Sequence, residues 1–327
     1  MPKRISKRKL LIGVVILFLV IVMIYSGLQI LKPTVLLNEA ETGTPIPSKT
    51  VEYNGIKYFP RQDITVFMIA GIDQSGPVKD SGSYNNDGAA DVVMLAIFDE
   101  TAKSYDLLCL NRDTIVDMPV LGLGGKKAGT VSAQLALAHT YGSGLEDSCE
   151  NLKETVSDFL GGIKIDYYMS MNMDGIGIMN DAVGGVRVNV KDDFSAIEPS
   201  LKKGEMVLNA AQARVFVQSR HGLGDQLNLS RMERHREYMN GLTNALKEKI
   251  SSSDTFVLES YEDIAPYLVT DCSATTLSSM MSRYAEFTRG DIISLEGENK
   301  VGAEFMEFHA DKQKLQGLVI DLFYAEK

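Results

Sequence analysis

The chain has 327 residues, with 33 Lys and Arg against 43 Asp and Glu, and is 45% hydrophobic and 23% charged, which excludes a wholly disordered or collagen-like protein. The length accommodates one large domain or two small ones with a sizeable core. A net charge of −10 argues against a protein that coats nucleic acid by neutralising phosphates.

The first 31 residues hold five basic residues (Lys3, Arg4, Lys7, Arg8, Lys9) and no acid, so removing those five charges leaves the remainder at −15. From Leu10 to Leu31 run 22 residues without a charge. As a helix they span roughly 33 Å, about the hydrocarbon thickness of a bilayer. The basic cluster in front predicts a cytoplasmic tail at 1–9, a transmembrane anchor at 10–31 and an extracytoplasmic remainder, at the cell membrane. A cleaved signal peptide is the competing reading, but the apolar run is longer than a usual signal core and no small-x-small site follows it. Of the three cysteines, Cys109 reads as a core residue, while Cys149 with Cys272 could bridge in an oxidising compartment or remain as thiols.

Residues 32–60, with Pro33, Pro45, Pro47 and Pro60, read as a stalk. Short apolar runs at Ile64–Ala70, Val92–Phe98 and Tyr105–Leu110 predict strands, the first two separated by a long Gly/Ser/Asn/Asp-rich loop over Gly71–Ala90. A loop of that length is usually functional or mobile. Helices are expected at Val131–Tyr141 and Glu146–Phe159, a strand at Ile165–Met171, a helix at Met173–Val183 closed by Gly184-Gly185, and a strand at Val186–Val190. Asn209–Arg220 has helical spacing, and Ser230-Arg231-Met232-Glu233 fits a capping box that opens the next helix. A helix near Ala274–Glu286, a strand near Ile292–Leu295 and a helix near Lys312–Tyr324 follow. Strands interleaved with helices predict an α/β fold with a central mixed β-sheet flanked by helices. The Gly122–Gly125 run lacks the strand–helix context of a phosphate loop and reads as a turn.

Three clusters carry chemistry. Asp73 closes the first predicted strand and Asp91 opens the second; carboxylates at strand ends suit a hard cation, although each could simply cap a turn. Asn111-Arg112-Asp113-Thr114 follows a buried-looking strand, where an arginine is costly unless an anion or an internal carboxylate awaits it. Gln218-Ser219-Arg220-His221 ends one helix and Arg231 opens the next, beside the positive end of its dipole, a placement that makes sense if an anion binds. Guanidinium forks suit phosphate. Arg234 and Arg236 read as a solvated basic face. The four histidines form no zinc pattern, and no hydrolytic triad suggests itself.

Taken in order, GID (71–73), AD with VVML (90–95), NRDT (111–114), IDYYMSMNMDGI (165–176), DAVGGVRVNV (181–190) and QSRHG…LSRMERHREYM (218–239) resemble the LytR-CpsA-Psr family of cell-wall proteins, from about Ile64 to Ile250. The resemblance implies a catalytic domain over 61–250 with residues 251–327 packed on it, and an apolar lipid-binding pocket. It implies a Mg²⁺-dependent phosphotransferase (Mn²⁺ being the alternative ion) that moves a glycopolymer from a polyprenyl pyrophosphate carrier at the membrane to peptidoglycan, without nucleic acid. Asp73 and Asp91 match the family's metal-linked acids, and Arg112, Arg220 and Arg231 its arginines, the five forming the expected catalytic set. Asn111 stands where the family has proline, Gln218 where it has arginine, Asn228 where it has Asp and His235 where it has Gln; Asp225 could supply the missing acid. Gln218, Asp225, Asn228 and His235 thus join the three arginines as the expected pyrophosphate contacts. These departures keep two alternatives open, a non-catalytic polyprenyl-phosphate binder and a lipid pyrophosphatase.

Overall fold

The computed structural model describes residues 50–219, 234, 237, 238, 240–242, 244–246, 248, 249, 252, 256–284, 287–302 and 305–326. The predicted anchor at 10–31 and the capping box at 230–233 lie outside them. Among the described residues no helix is long and apolar enough to cross a membrane.

The elements in order are β1 (Val51–Tyr53), β2 (Ile56–Pro60), β3 (Ile64–Ile72), β4 (Ala90–Asp99), β5 (Ser104–Leu110), β6 (Ile115–Leu121), β7 (Lys127–Gln134), α1 (Glu146–Phe159), β8 (Tyr167–Asn172), α2 (Gly175–Ala182), β9 (Val186–Val190) and β10 (Gly204–Leu208). Then come α3 (Ala210–Gln218), α4 (Phe256–Ile264), β11 (Leu268–Thr270), α5 (Ala274–Tyr284), β12 (Thr288–Ser294), β13 (Gly297–Val301), β14 (Met306–Ala310), α6 (Lys312–Phe323) and β15 (Tyr324–Glu326). A six-stranded sheet has the order β11-β8-β3-β4-β5-β12. It is mixed, as expected: β4 and β5 are antiparallel, β5 and β12 parallel.

By backbone contacts the chain divides into two compact units, one including residues 70–78 and 170–286, the other 33–69, 79–169 and 287–327. The C-terminal stretch from 251 therefore divides between them. In the second unit β4 is buried without interruption from Val93 to Phe98, as a strand covered on both faces must be. Leu152 and Val156 of α1 and Met118 of β6 are fully buried, and the helix packs against that strand in the unit's core. Residues 51–60, read as stalk, are strands: β2 pairs with β1 on one side and with β15 on the other.

The helix expected at Val131–Tyr141 is instead β7 followed by a short 3-10 helix at Leu135–Thr140. Val131, Leu135 and Ala138 imitate helical spacing, but β6 needs an antiparallel partner and takes residues 127–134, with the glycine-rich stretch 122–125 as their turn. The chain then folds back: the Leu135 amide donates to the Thr114 carbonyl at 2.8 Å and that of Ala136 to Arg112 at 3.0 Å.

The later half of the loop at 71–90 is pinned. Asn86 is buried, and its Nδ2 donates to the carbonyls of His139 (2.8 Å) and Gly142 (2.9 Å) and to Ser148 Oγ (3.1 Å). His139 is equally buried, with Nδ1 2.7 Å from the Gly88 carbonyl and no partner for Nε2. A carbonyl only accepts, so Nδ1 carries the hydrogen; Nε2, buried with no acceptor among the described residues, carries none, and the ring is neutral. Burial pushes its pKa from 6.5 down to about 4. The unfolded chain therefore binds this proton more readily, and stability falls as pH drops from the ordinary value toward the folded one. Between these limits the wild type is expected to lose about 3 kcal/mol more than a His139→Gln variant, read from urea melts at neutral pH and near pH 4.

In the first unit β9 alternates buried and exposed residues against β10. α3 opens with a full capping box, the Asn209 side chain accepting from the Gln212 amide at 2.9 Å and the Gln212 side chain from the Asn209 amide at 3.1 Å. Gly185, at φ +96°, has Leu208 O only 3.0 Å from where a Cβ would sit, which explains the Gly-Gly stop after α2.

Candidate active site

The antiparallel register of β4 and β5 pairs Val93 with Leu110. Continued past the ladder's end, it sets Asp91 opposite Arg112. The two side chains meet there as an ion pair, Arg112 Nη1 on Asp91 Oδ1, with Asp91 12% and Arg112 26% exposed. Arg112 Nε lies 3.5 Å from Asp113 Oδ1. Of the two expectations for this arginine, the internal carboxylate is what forms: Asp91, with Asp113 alongside.

The turn that carries Arg112 is held from several sides. The Asn111 carbonyl accepts from the Thr114 amide (3.0 Å) and hydroxyl (2.6 Å), and Asn111 Oδ1 accepts from the Asp113 amide at 2.9 Å. An asparagine turn therefore fixes this bend by hydrogen bonding. Gln134 Nε2 donates to Asp113 Oδ1 at 2.9 Å, and the Asp113 carbonyl accepts from the Phe308 amide at 2.8 Å. Gln134 carries no signal in the sequence, because its partners Asp113 and Met306 lie 21 and 172 residues away.

In the other unit Asp73 is exposed just past β3. The loop after it is fixed by the turn between β8 and α2. The Met173 amide donates to the Gln74 carbonyl at 2.8 Å, Asn172 Nδ2 to the Gly76 carbonyl at 3.0 Å, and the Gly76 amide to Asp174 Oδ2 at 2.5 Å. Asp174 Oδ1 is paired with Arg214 of α3. Gln218, the last residue of α3, donates to Met173 Sδ. Asp174, which lies within the 165–176 motif but has no role assigned by it, and Arg214, outside every motif, therefore set the segments bearing Asp73 and Gln218.

Arg220, Asp225, Asn228, Arg231 and His235 lie outside the described residues. Arg234 is described, and the solvated basic face expected there is not what forms. It is 5% exposed. Its Nε donates to the Phe216 carbonyl at 2.9 Å, Nη2 to the Ser219 carbonyl and Nη1 to Asp192 at 2.5 Å, while the guanidinium lies 5.7 Å from the Phe194 ring centre. It is an internal brace for the C-terminal end of α3, where the last carbonyls lack helical partners.

No group of three or more His, Cys, Asp or Glu among the described residues is arranged to hold a metal ion. The carboxylates of Asp73 and Asp91 are nonetheless the oxygen donors a hard divalent cation takes, and such an ion needs only one or two of them beside waters and phosphate.

A model of the LytR_cpsA_psr family matches residues 36–320, and the chain belongs to that family. The polyisoprenyl-teichoic acid–peptidoglycan teichoic acid transferase TagU of Oceanobacillus iheyensis is 26% identical over 262 residues, 77% of this chain and 72% of that protein. TagU of Enterococcus faecalis is 27% identical over 249 residues, 76% and 73% of the respective chains. Among solved structures, Bacillus subtilis TagV superposes with a TM-score of 0.58 at 23% identity, covering 80% of this chain and 96% of that one. TagT bound to LI-WTA superposes with a TM-score of 0.56 at 22% identity, covering 80% and 90%. These superpositions show that the fold is shared.

Proposed function

We propose that the protein is a membrane-anchored phosphotransferase that moves a glycopolymer from a polyprenyl pyrophosphate carrier to peptidoglycan. The observation that carries this reading is the Arg112–Asp91 pair at the ends of β5 and β4, on a turn fixed by Asn111, Asp113 and Gln134. The curated relatives' names support the class of reaction. An acceptor hydroxyl oxygen attacks the phosphorus that carries the polymer. A new P–O bond forms, the bond to the bridging oxygen breaks, polyprenyl phosphate leaves with that electron pair, and the hydroxyl proton passes to a base.

Such a transfer asks the protein for alignment and charge neutralisation rather than covalent help. Arg112 supplies a two-pronged donor to the diphosphate in exchange for part of its contact with Asp91. By the resemblance, Arg220 and Arg231 contribute the same chemistry, with Gln218, Asp225, Asn228 and His235 as polar contacts. Asp73 and Asp91 would hold Mg²⁺, which screens phosphate charge when bound.

The test is full-length protein in vesicles with lipid-linked polymer, peptidoglycan oligomers and Mg²⁺. A phosphodiester-linked product that needs all components is expected. Phosphate-terminated polymer released without acceptor would mark a pyrophosphatase, and bound lipid with no turnover a binder.

A further inference from the structure

β13 and β14 form a two-stranded hairpin in the unit that carries Arg112. Val301 pairs with Met306 and Asn299 with Phe308, so these four share one face. The other face is ionic: Lys300 lies 3.3 Å from Glu298, and His309 2.8 Å from Glu307. The apolar face starts inside the protein, with Phe308 6% exposed, and one step outward it emerges into solvent. Met306 is 47% and Val301 85% exposed, and Phe305, in the bend just before β14, is 64% exposed. Three large apolar side chains at one tip mark a contact surface rather than scattered exposure.

We propose that this tip inserts into the outer face of the bilayer and sets the Arg112 turn at headgroup depth. The inference rests on the anchored reading above. On that reading, only residues 32–50 separate the apolar run from β1, so the unit stays near the membrane. The hairpin is tied to the site by its backbone. Phe308 N donates to Asp113 O at 2.8 Å, Gln134 Nε2 reaches both Met306 O (2.8 Å) and Asp113 Oδ1 (2.9 Å), and Thr114 bridges Phe308. From Phe308 to Met306 a strand advances about 7 Å. Interfacial apolar groups bury about 5–10 Å, so a seated tip leaves Arg112 level with lipid phosphates. The occupant is lipid because three side chains fall well short of the roughly 800 Å² that each partner contributes to a stable protein interface.

The chain contains no tryptophan, so a single introduced indole reports its own surroundings. Full-length Phe305→Trp protein is reconstituted in phosphatidylcholine vesicles with and without brominated acyl chains. Its emission is expected to be blue-shifted and quenched by the brominated lipid. Val207→Trp, at an exposed position of β10, should keep water-like emission. Ile16→Trp, in the apolar run, reports the anchor independently. Water-like, unquenched emission at position 305 overturns the tip insertion: with Ile16→Trp quenched the anchored reading stands alone, and with neither quenched both fall. Quenching at 305 supports insertion in either case.

Discussion

Arg112→Ala is expected to lower the rate of polymer transfer about 10²–10³-fold, the usual cost of removing one fixed donor from developing negative charge. Arg112→Lys keeps the charge but not the fork and should fall between that variant and wild type. Asp91→Asn removes the guanidinium's partner at the opposite strand end. Because the two side chains touch, the double variant should lose less than the sum of the single losses. Product formation measured at equal folded protein decides the matter. Equal rates for wild type and Arg112→Ala would remove this arginine from the reaction and leave it a structural ion pair.

Arg234→Met carries the largest expected loss of stability. The side chain is 6% exposed and donates to Asp192 and to two backbone carbonyls. Its removal leaves a carboxylate that is 18% exposed without its cation, and two carbonyls without donors. Breaking one side of a buried pair typically costs about 3–5 kcal/mol. Urea unfolding should show this, and Asp192→Asn in the same chain should recover part of it, since the uncompensated charge is then gone. Transfer activity at equal folded protein tests whether the brace also places Gln218, two residues beyond Phe216 on α3.

Local signals read well where the local signal is also the tertiary one. The apolar runs behind β3 and β4 are buried over several consecutive residues, and β5 buries Tyr105, Leu107, Leu108 and Leu110, so composition alone reveals them. α1 occupies Glu146–Phe159 as its spacing foretells, with Cys149, Leu152 and Val156 buried on one face. The stretch 131–138 misleads because Val131, Leu135 and Ala138 recur at helical intervals, while the feature that settles β7 is pairing with β6. Arg234 misleads for a related reason. Its neighbours in sequence are basic and polar, and its carboxylate partner is 42 residues away. Asp91 and Arg112 stood out as charges interrupting apolar runs, and the β4–β5 register is what joins them. The sequence marks Asp73 equally well, but the contacts that fix its loop, from Asn172, Met173 and Asp174, come from about a hundred residues downstream.

The pairing of β15 with β2 bears on the order of biosynthesis. Tyr324 sits against Pro60 and Glu326 against Tyr58, while the Arg61 amide donates to the Phe323 carbonyl at 2.9 Å. The compact unit that holds β1 and β2 is thus closed by residues more than 260 positions further along the chain, with 170–286 as an insertion in between. A nascent chain halted before β13 holds the Arg112 turn without its Phe308 support and leaves one edge of β2 bare, a template for stray strand addition. Closing contacts across more than 260 residues carry a large loop-closure cost, so this unit should mature late and slowly, after the inserted one has folded.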